Sequence, residues 1–315
     1  MIDTFLKQNI MTKKKLINWT LLLFMSIGLT TLNSSCKKEG CTDTTAANFD
    51  SGAKKDNGSC TYATPDPTAA YDVTGLKEIA KGYAIGAGAE IKVYAKEDLF
   101  TGYNFLYILT LDSATGNFLG EGQVTVSPLM EMPMHKHSCP IENWESDKPN
   151  SNGLYENQVL FVMPSSAGNW ELNVEYHNHT INKMGSAKIP VTVTQTTNRL
   201  MDSFIDSSSA NNDRVFITYV LPEKPQVGLN DIEIAVYYKK DMMMWPARED
   251  FTMEIEPTMP TMGHGSPNNV NPVHMAKGHY KGKVNYTMTG LWKIDVVLSR
   301  NGKVVSRNNY FEYTL

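Results

Sequence analysis

From about Tyr71 to the C-terminus, apolar and polar positions alternate in short runs punctuated by Gly, Pro, Asn and Asp. This is the period-two pattern of half-buried strands, and no stretch sustains a helical period. "EIKVYAKE", "YNFLYILTL", "QVTVSP", "QVLFVMP", "WELNVEYHN" and "IPVTVTQ" predict a first set of strands, which the polar stretch "DSSSANND" closes. "RVFITYVLP", "DIEIAVYYKK", "FTMEIEP", "GKVNYTM", "WKIDVVLSRNG" and "NNYFEYTL" predict a second set. The two sets correspond step by step. In each, a strand pair leads to a third strand ending in a loop of Met, Pro and His ("VTVSPLMEMPMHKHS" against "MEIEPTMPTMGHGS"). A polar loop follows, then Gly-x-Tyr (Gly153 and Tyr155; Gly278 and Tyr280) and a strand ending in Met163 or Met288. A Gly-x-Trp turn at Trp170 or Trp292 and a closing hairpin complete each set. Matching features in matching order imply an internal duplication. The expected fold is all-β: two tandem Ig-like β-sandwich domains over 71–198 and 214–315, joined by a linker at 199–213.

Ahead of this lies an apolar stretch, "LINWTLLLFMSIGLTTL", preceded by Lys13, Lys14 and Lys15 and followed by small polar residues and Cys36. That order reads as an export signal over 1–35, with Met11 a possible start and an uncleaved membrane anchor the alternative. "LNSSC" resembles the lipobox of bacterial lipoproteins, with Asn33 where Leu is usual, which implies lipidation of Cys36. "CKKEG" resembles the charged tether of Bacteroidetes-type surface lipoproteins. These resemblances imply a lipid anchor in the cell envelope, on a periplasmic or surface face of the outer membrane. With Cys36 lipidated, three cysteines remain in an oxidising compartment. A Cys41–Cys60 disulfide would staple the segment 36–62, which has almost no core of its own. Cys139 is then left over, as an inert buried thiol or a reactive or metal-binding one. Gly40, Cys41, Thr42 and Asp43, then Ala47, Asn48 and Phe49, then Gly58, Ser59 and Cys60 resemble a small acidic repeat of secreted proteins. Related repeats bind calcium, for which Asp43, Asp50, Asp56 and Asn57 would supply oxygen ligands; a stapled spacer without calcium is the alternative. The linker "ATPDPTAA" spans 63–70.

The 315-residue chain is 41% hydrophobic and 20% charged, with a formal charge of −4. Removal of 1–35, with four Lys and one Asp, takes that to −7. A mildly acidic chain without clustered cations excludes nucleic acid as a partner. No Gly-x-Ser-x-Gly elbow, P-loop or dinucleotide fingerprint appears, and we expect no enzyme.

The chemistry gathers in two places. His135, His137, His177 and His179 fall in the first set, and His264, His274 and His279 in the second. The first Met loop adds Met130, Met132, Met134 and Cys139; the second adds Met253, Met259, Met262 and Met275, with "DMMMW" on a preceding turn. Thioether and imidazole donors together favour copper, above all Cu(I). If Met130, Met132 and Met134 continue the strand, alternation puts all three on one face, and the loop brings His135 or His137 round to them. His177 and His179 share a face at a strand end that could lie nearby. Zinc on the four histidines is the other metal reading, disfavoured by the surplus of thioethers. The bland alternative is that Met fills gaps in the core, as expected for Met163 and Met288, and covers a turn at 242–244.

"MPTMGHGS" followed by "GHYKGKVNYTMTGLWKIDVVL" resembles the YtkA-like or FixH-like domain, through Met259, Met262, His264, Gly278, Tyr280, Met288, Gly290 and Trp292. The first set carries the looser match, in Met134, His137, Gly153, Tyr155, Met163, Gly168 and Trp170. The resemblance implies a small exported sandwich associated with periplasmic copper handling or assembly of respiratory copper centres. The expected function is an envelope-anchored lipoprotein that binds copper for buffering or for delivery to a copper-accepting envelope protein. The alternative is a structural or adhesive surface lipoprotein with no metal role.

Overall fold

A computed structural model describes residues 38–44, 46, 48–61 and 70–315; the export signal, Cys36 and most of the 63–70 linker lie outside the described residues. The chain divides into two units, Met1–Thr64 and Pro65–Leu315. In the first, β1 (Glu39–Gly40) and β2 (Lys55–Asp56) pair in parallel, and the expected Cys41–Cys60 disulfide is present. Closing a loop of this length stabilises by about 3 kcal/mol, which offsets the want of a core.

The second unit holds both sandwiches. The first is built from β3 (Lys77–Ala84), β4 (Ala89–Ala95), β5 (Gly102–Asp112), β6 (Gly122–Glu131), β7 (Lys136–His137), β8 (Ile141–Glu142), β9 (Glu145–Ser146), β10 (Tyr155–Phe161), β11 (Asn169–Asn178) and β12 (Lys183–Val191). The second follows with β13 (Met201–Asp206), β14 (Asp213–Leu221), β15 (Gly228–Lys239), β16 (Thr252–Met259), β17 (His264–Gly265), β18 (Val270–Ala276), β19 (His279–Tyr286), β20 (Leu291–Arg300) and β21 (Lys303–Thr314). Sheets ordered β3-β4-β5-β10-β8 and β12-β11-β6-β7 face each other in the first, with β9 also on β6. Sheets ordered β13-β14-β15-β19-β18 and β17-β16-β20-β21 do so in the second. The orders superimpose strand for strand, so the duplication read from motifs is a duplication of topology.

Each sandwich has its own core, as alternation requires. Ile91, Leu106, Ile108, Val124, Val126, Phe161, Leu172 and Val174 fill the first around Trp170. Ile217, Ile234, Val236, Val284, Ile294, Val296 and Phe311 fill the second around Trp292. One boundary is corrected: within the 199–213 linker, residues 201–206 form β13, an edge strand of the second sandwich paired with β14. Its polar sequence suits an edge, where one flank meets solvent, and Phe204 packs onto the second core.

The outer faces of the two five-stranded sheets also meet. Tyr103 and Leu160 from the first sandwich join Phe216, Val220, Ala235 and Tyr237 from the second in a buried apolar cluster. These strands are therefore buried on both sides, which is why their sequences run apolar almost without interruption.

Candidate metal sites at two Met and His corners

At the end of β6, Met130 stands between His137 on β7 and Trp170 on β11, each its direct cross-strand partner. Directly opposed residues project to the same face. Thioether, imidazole and indole are accordingly all buried, and the imidazole and indole rings approach to 5.5 Å at 88°. The second sandwich repeats this. Met259 ends β16 opposite His264 on β17, and Trp292 on β20 comes next after the Thr258–Lys293 pair. His264 and Trp292 lie 6.3 Å apart at 77°.

Further details recur. His137 Nδ1 lies 2.7 Å from the Ser138 carbonyl and His264 Nδ1 3.0 Å from the Gly265 carbonyl. A carbonyl only accepts, so each Nδ1 donates, and in a neutral ring that leaves the Nε2 lone pair to a ligand, the usual way a metal-binding imidazole is fixed. His137 Nε2 is buried with no hydrogen-bond partner. Burial holds the His137 pKa below the ordinary value against the Ser138 contact, with help from the charges of Lys239 and His135, so the ring is neutral as ligation demands. Both indoles are tied back, Trp170 Nε1 donating to the Met163 carbonyl at 2.8 Å and Trp292 Nε1 to the Met288 carbonyl at 3.0 Å. Glycine two residues before each Trp makes room for the thioether. A Cβ on Gly168 would come within 3.1 Å of Met130 Cε, and one on Gly290 within 2.8 Å of Met259 Cε. Met132, half-buried, would lie 3.0 Å from the same Gly168 Cβ, and it lines an open depression of about 520 Å³ with Glu131, Pro133 and residues 165–169.

The other candidates lie apart from these corners. β6 stops at Glu131, and a turn closed by Met132 N donating to the His135 carbonyl at 3.0 Å follows. Alternation therefore does not carry through to Met134, which is 94% exposed, and the neighbouring His135 is exposed as well. Pro133 lacks the N–H that a continuing ladder would need. The Cys139 thiol is buried in the first core, where burial pushes its pKa well up and keeps it protonated. His177 and His179 form a ring pair 4.8 Å apart, but His177 pairs with Gln123 while Trp170 pairs with Met130. Seven residues of strand, about 23 Å, separate the histidine pair from the Met corner, so the expected convergence does not occur. Met262 is exposed. His274 and Met275 sit on edge strand β18, with the His274 ring 5.2 Å from Tyr280 and its Nε2 3.9 Å from a Glu249 oxygen. Met253 is a core residue.

His279 has another role. Its Nδ1 lies 2.6 Å from Glu233 and its Nε2 2.7 Å from Glu142, a residue of the first sandwich. Tyr103 and Tyr237 also donate to Glu142. Burial alone would lower the His279 pKa, but the two carboxylates outweigh it and raise it to about 9. With both nitrogens engaged, this imidazole ties the sandwiches together.

In the N-terminal unit, Asp50 pairs with Lys38 at 2.7 Å and accepts from Gly52 N, Asp56 accepts from Gly58 N and Asn57 from Ser59 N. The three backbone contacts are turn-forming, and Asp43 has a partner of its own. Among the described residues no group of three or more His, Cys, Asp or Glu converges as a metal site. The donors that do converge are thioethers, imidazoles and aromatic faces, a set suited to a soft monovalent cation. Sequence reasoning named the Met and His of these corners but missed the two Trp as their third wall; the repeated Gly-x-Trp was the available signal.

No curated protein matches the chain significantly. Among solved structures, the chain is similar to the Yersinia pseudotuberculosis adhesin InvE at 10% identity and a TM-score of 0.23, over 80% of this chain and 61% of that one. It is similar to invasin, a bacterial integrin-binding protein, at 11% identity and a TM-score of 0.20, over 76% of this chain and 38% of that one. The D0-D1 domain of intimin matches at 12% identity and a TM-score of 0.21, over 70% and 95% of the two chains. The chain thus spans less than two-thirds of the first two. Over residues 209–297, from the turn before β14 to within β20, it matches the YtkA-like family.

Proposed function

We propose that the chain is a cuprous-ion carrier with one soft site per sandwich: Met130 and His137 beside Trp170, and Met259 and His264 beside Trp292. The observation that carries this reading is the recurrence of one arrangement at both corners, down to the Nδ1 contact that leaves Nε2 free. At the first corner, moreover, the buried His137 Nε2 has no partner, which costs stability unless something binds it. On this reading the first sandwich is a second copy of the YtkA-like module, with the FixH-like kinship read from the same residues. The export signal and a lipidated Cys36 hold the protein at the envelope, where it buffers copper or passes it to an accepting protein without catalysis. Anaerobic Cu(I) titration against a chromogenic chelator tests it. Two equivalents are expected for the wild type and one for either His137→Ala or His264→Ala. Unchanged stoichiometry in both variants would refute the proposal. Mass spectrometry of the Cys36→Ala variant, expected to lack the lipid, tests the anchor.

A second reading, a structural or adhesive surface module, is favoured by a different observation: the sandwiches are locked together by the Tyr103 and Tyr237 cluster and the Glu142–His279 contact. A rigid pair suits presentation of loops to a partner. Here the double variant His137→Ala, His264→Ala would keep all surface binding.

A further inference from the structure

The connection from β15 to β16 carries three consecutive methionines, Met242, Met243 and Met244, exposed to 40%, 57% and 48%. Asp241 fixes the turn by accepting from Met243 N at 2.7 Å and Met244 N at 2.8 Å, while Lys240 N donates to the Met244 carbonyl at 3.0 Å. An exposed, rigid turn gains nothing from thioethers by packing, and Ser or Asn would serve there. Its position supplies the reason. Ser138 N, in the residue after His137, donates to the Met242 carbonyl at 2.8 Å, so this turn of the second sandwich is hydrogen-bonded to the strand that presents the first sandwich's imidazole. Met134 and His135 stand exposed on the loop leading into that same strand. No equivalent contact is made at the second corner among the described residues.

We infer that the methionines at 242–244 form a loading site, which takes a cuprous ion from a donor and passes it to Met130 and His137. This rests on the carrier reading above. The transfer is ligand exchange between thioethers: copper stays Cu(I), a sulfur–copper bond breaks as another forms, and no proton or electron moves. Holding the ion close turns capture by a recessed site into an intramolecular step. An effective concentration in the millimolar range then replaces the scarce free ion.

The test uses the full chain with the second corner silenced by Met259→Leu and His264→Ala, and follows transfer from a Cu(I)–bicinchoninate complex by stopped flow under anaerobic conditions. Adding Met242→Ser, Met243→Ser and Met244→Ser should slow loading about tenfold while leaving the equilibrium affinity within about twofold, because a shelf speeds arrival and departure alike. An unchanged rate overturns the inference, and so does an affinity that falls in step with the rate, which would make the turn part of the site. Failure of the carrier reading looks different: the silenced parent would take up no copper at all.

Discussion

The Met and His corners of the two sandwiches share a backbone plan and differ in how far each shields its imidazole. His137 is 4% exposed, and half-buried Met132 lies close to Gly168 beside Met130; His264 is only half-buried and its loop neighbour Met262 is 60% exposed. The stretch between Met and His is two residues longer in the first, and those residues display Met134 and His135. A donor set sealed from water holds an ion longer than one at the rim, since each contact inside is dry and preorganised. On the carrier reading, the first corner would be the retaining site and the second the faster-exchanging one. The same divergence shows one strand over. Leu154 and His279 each fall between Gly and Tyr in the duplicated motif. Leu154 is buried beneath the first sandwich's own Tyr94 and Leu111, whereas His279 reaches across to Glu142. Duplication preserved the fold while the outward-facing positions took up separate tasks.

The comparison can be broken or sharpened in four ways. Trp170→Ala and Trp292→Ala should each cost about 3–5 kcal/mol in chemical denaturation, since both indoles are fully buried. Losses differing by more than half would deny the equivalence of the corners. The His279 contact has no counterpart in the first half and should make stability pH-dependent. Its folded pKa of about 9 lies above the ordinary 6.5, so its contribution is complete below 6.5 and disappears as pH rises through 9. The unfolding free energy from chemical denaturation should fall by about 3 kcal/mol across that window, and Glu142→Gln should flatten the slope. Glu233, Lys281, Tyr103 and Tyr237 are the other groups facing the ring or its carboxylates. A smaller effect is expected for His137→Leu, which removes the unpartnered nitrogen and should stabilise the metal-free protein by about 1 kcal/mol, whereas His264→Leu should do nearly nothing. A clear loss on His137→Leu would mean the ring is there for packing. Met134→Ser should leave stability unchanged within about 0.5 kcal/mol, as its side chain is almost wholly in solvent.

The strands facing a core could be read from the sequence because alternation there is clean, as in "WELNVEYHN" and "WKIDVVLSR". β3 and β13 escaped because "KEIAKGYA" and "MDSFID" sit at sheet edges, where solvent on one flank permits Lys, Gly and Asp. The contact between sandwiches was announced by the unbroken apolar runs "YNFLYILTL" and "RVFITYVLP", which period-two reading treats as a single buried face. Within the site, Met130 with His137 and Met259 with His264 were visible as repeated motif. The inclusion of His177, His179 and His279 was not supported, since proximity of strand ends depends on pairing direction and no spacing rule encodes it.

The hydrogen bond from each Nδ1 to the following carbonyl has a consequence for acidity. On the carrier reading, a cuprous ion arriving at the first corner would meet a sulfur that never held a proton and, on His137, a nitrogen whose partner across the ring carries the only proton. Uptake would release no acid to the surroundings, so affinity should stay level from neutrality upward, where thiolate sites would tighten with every rise in pH.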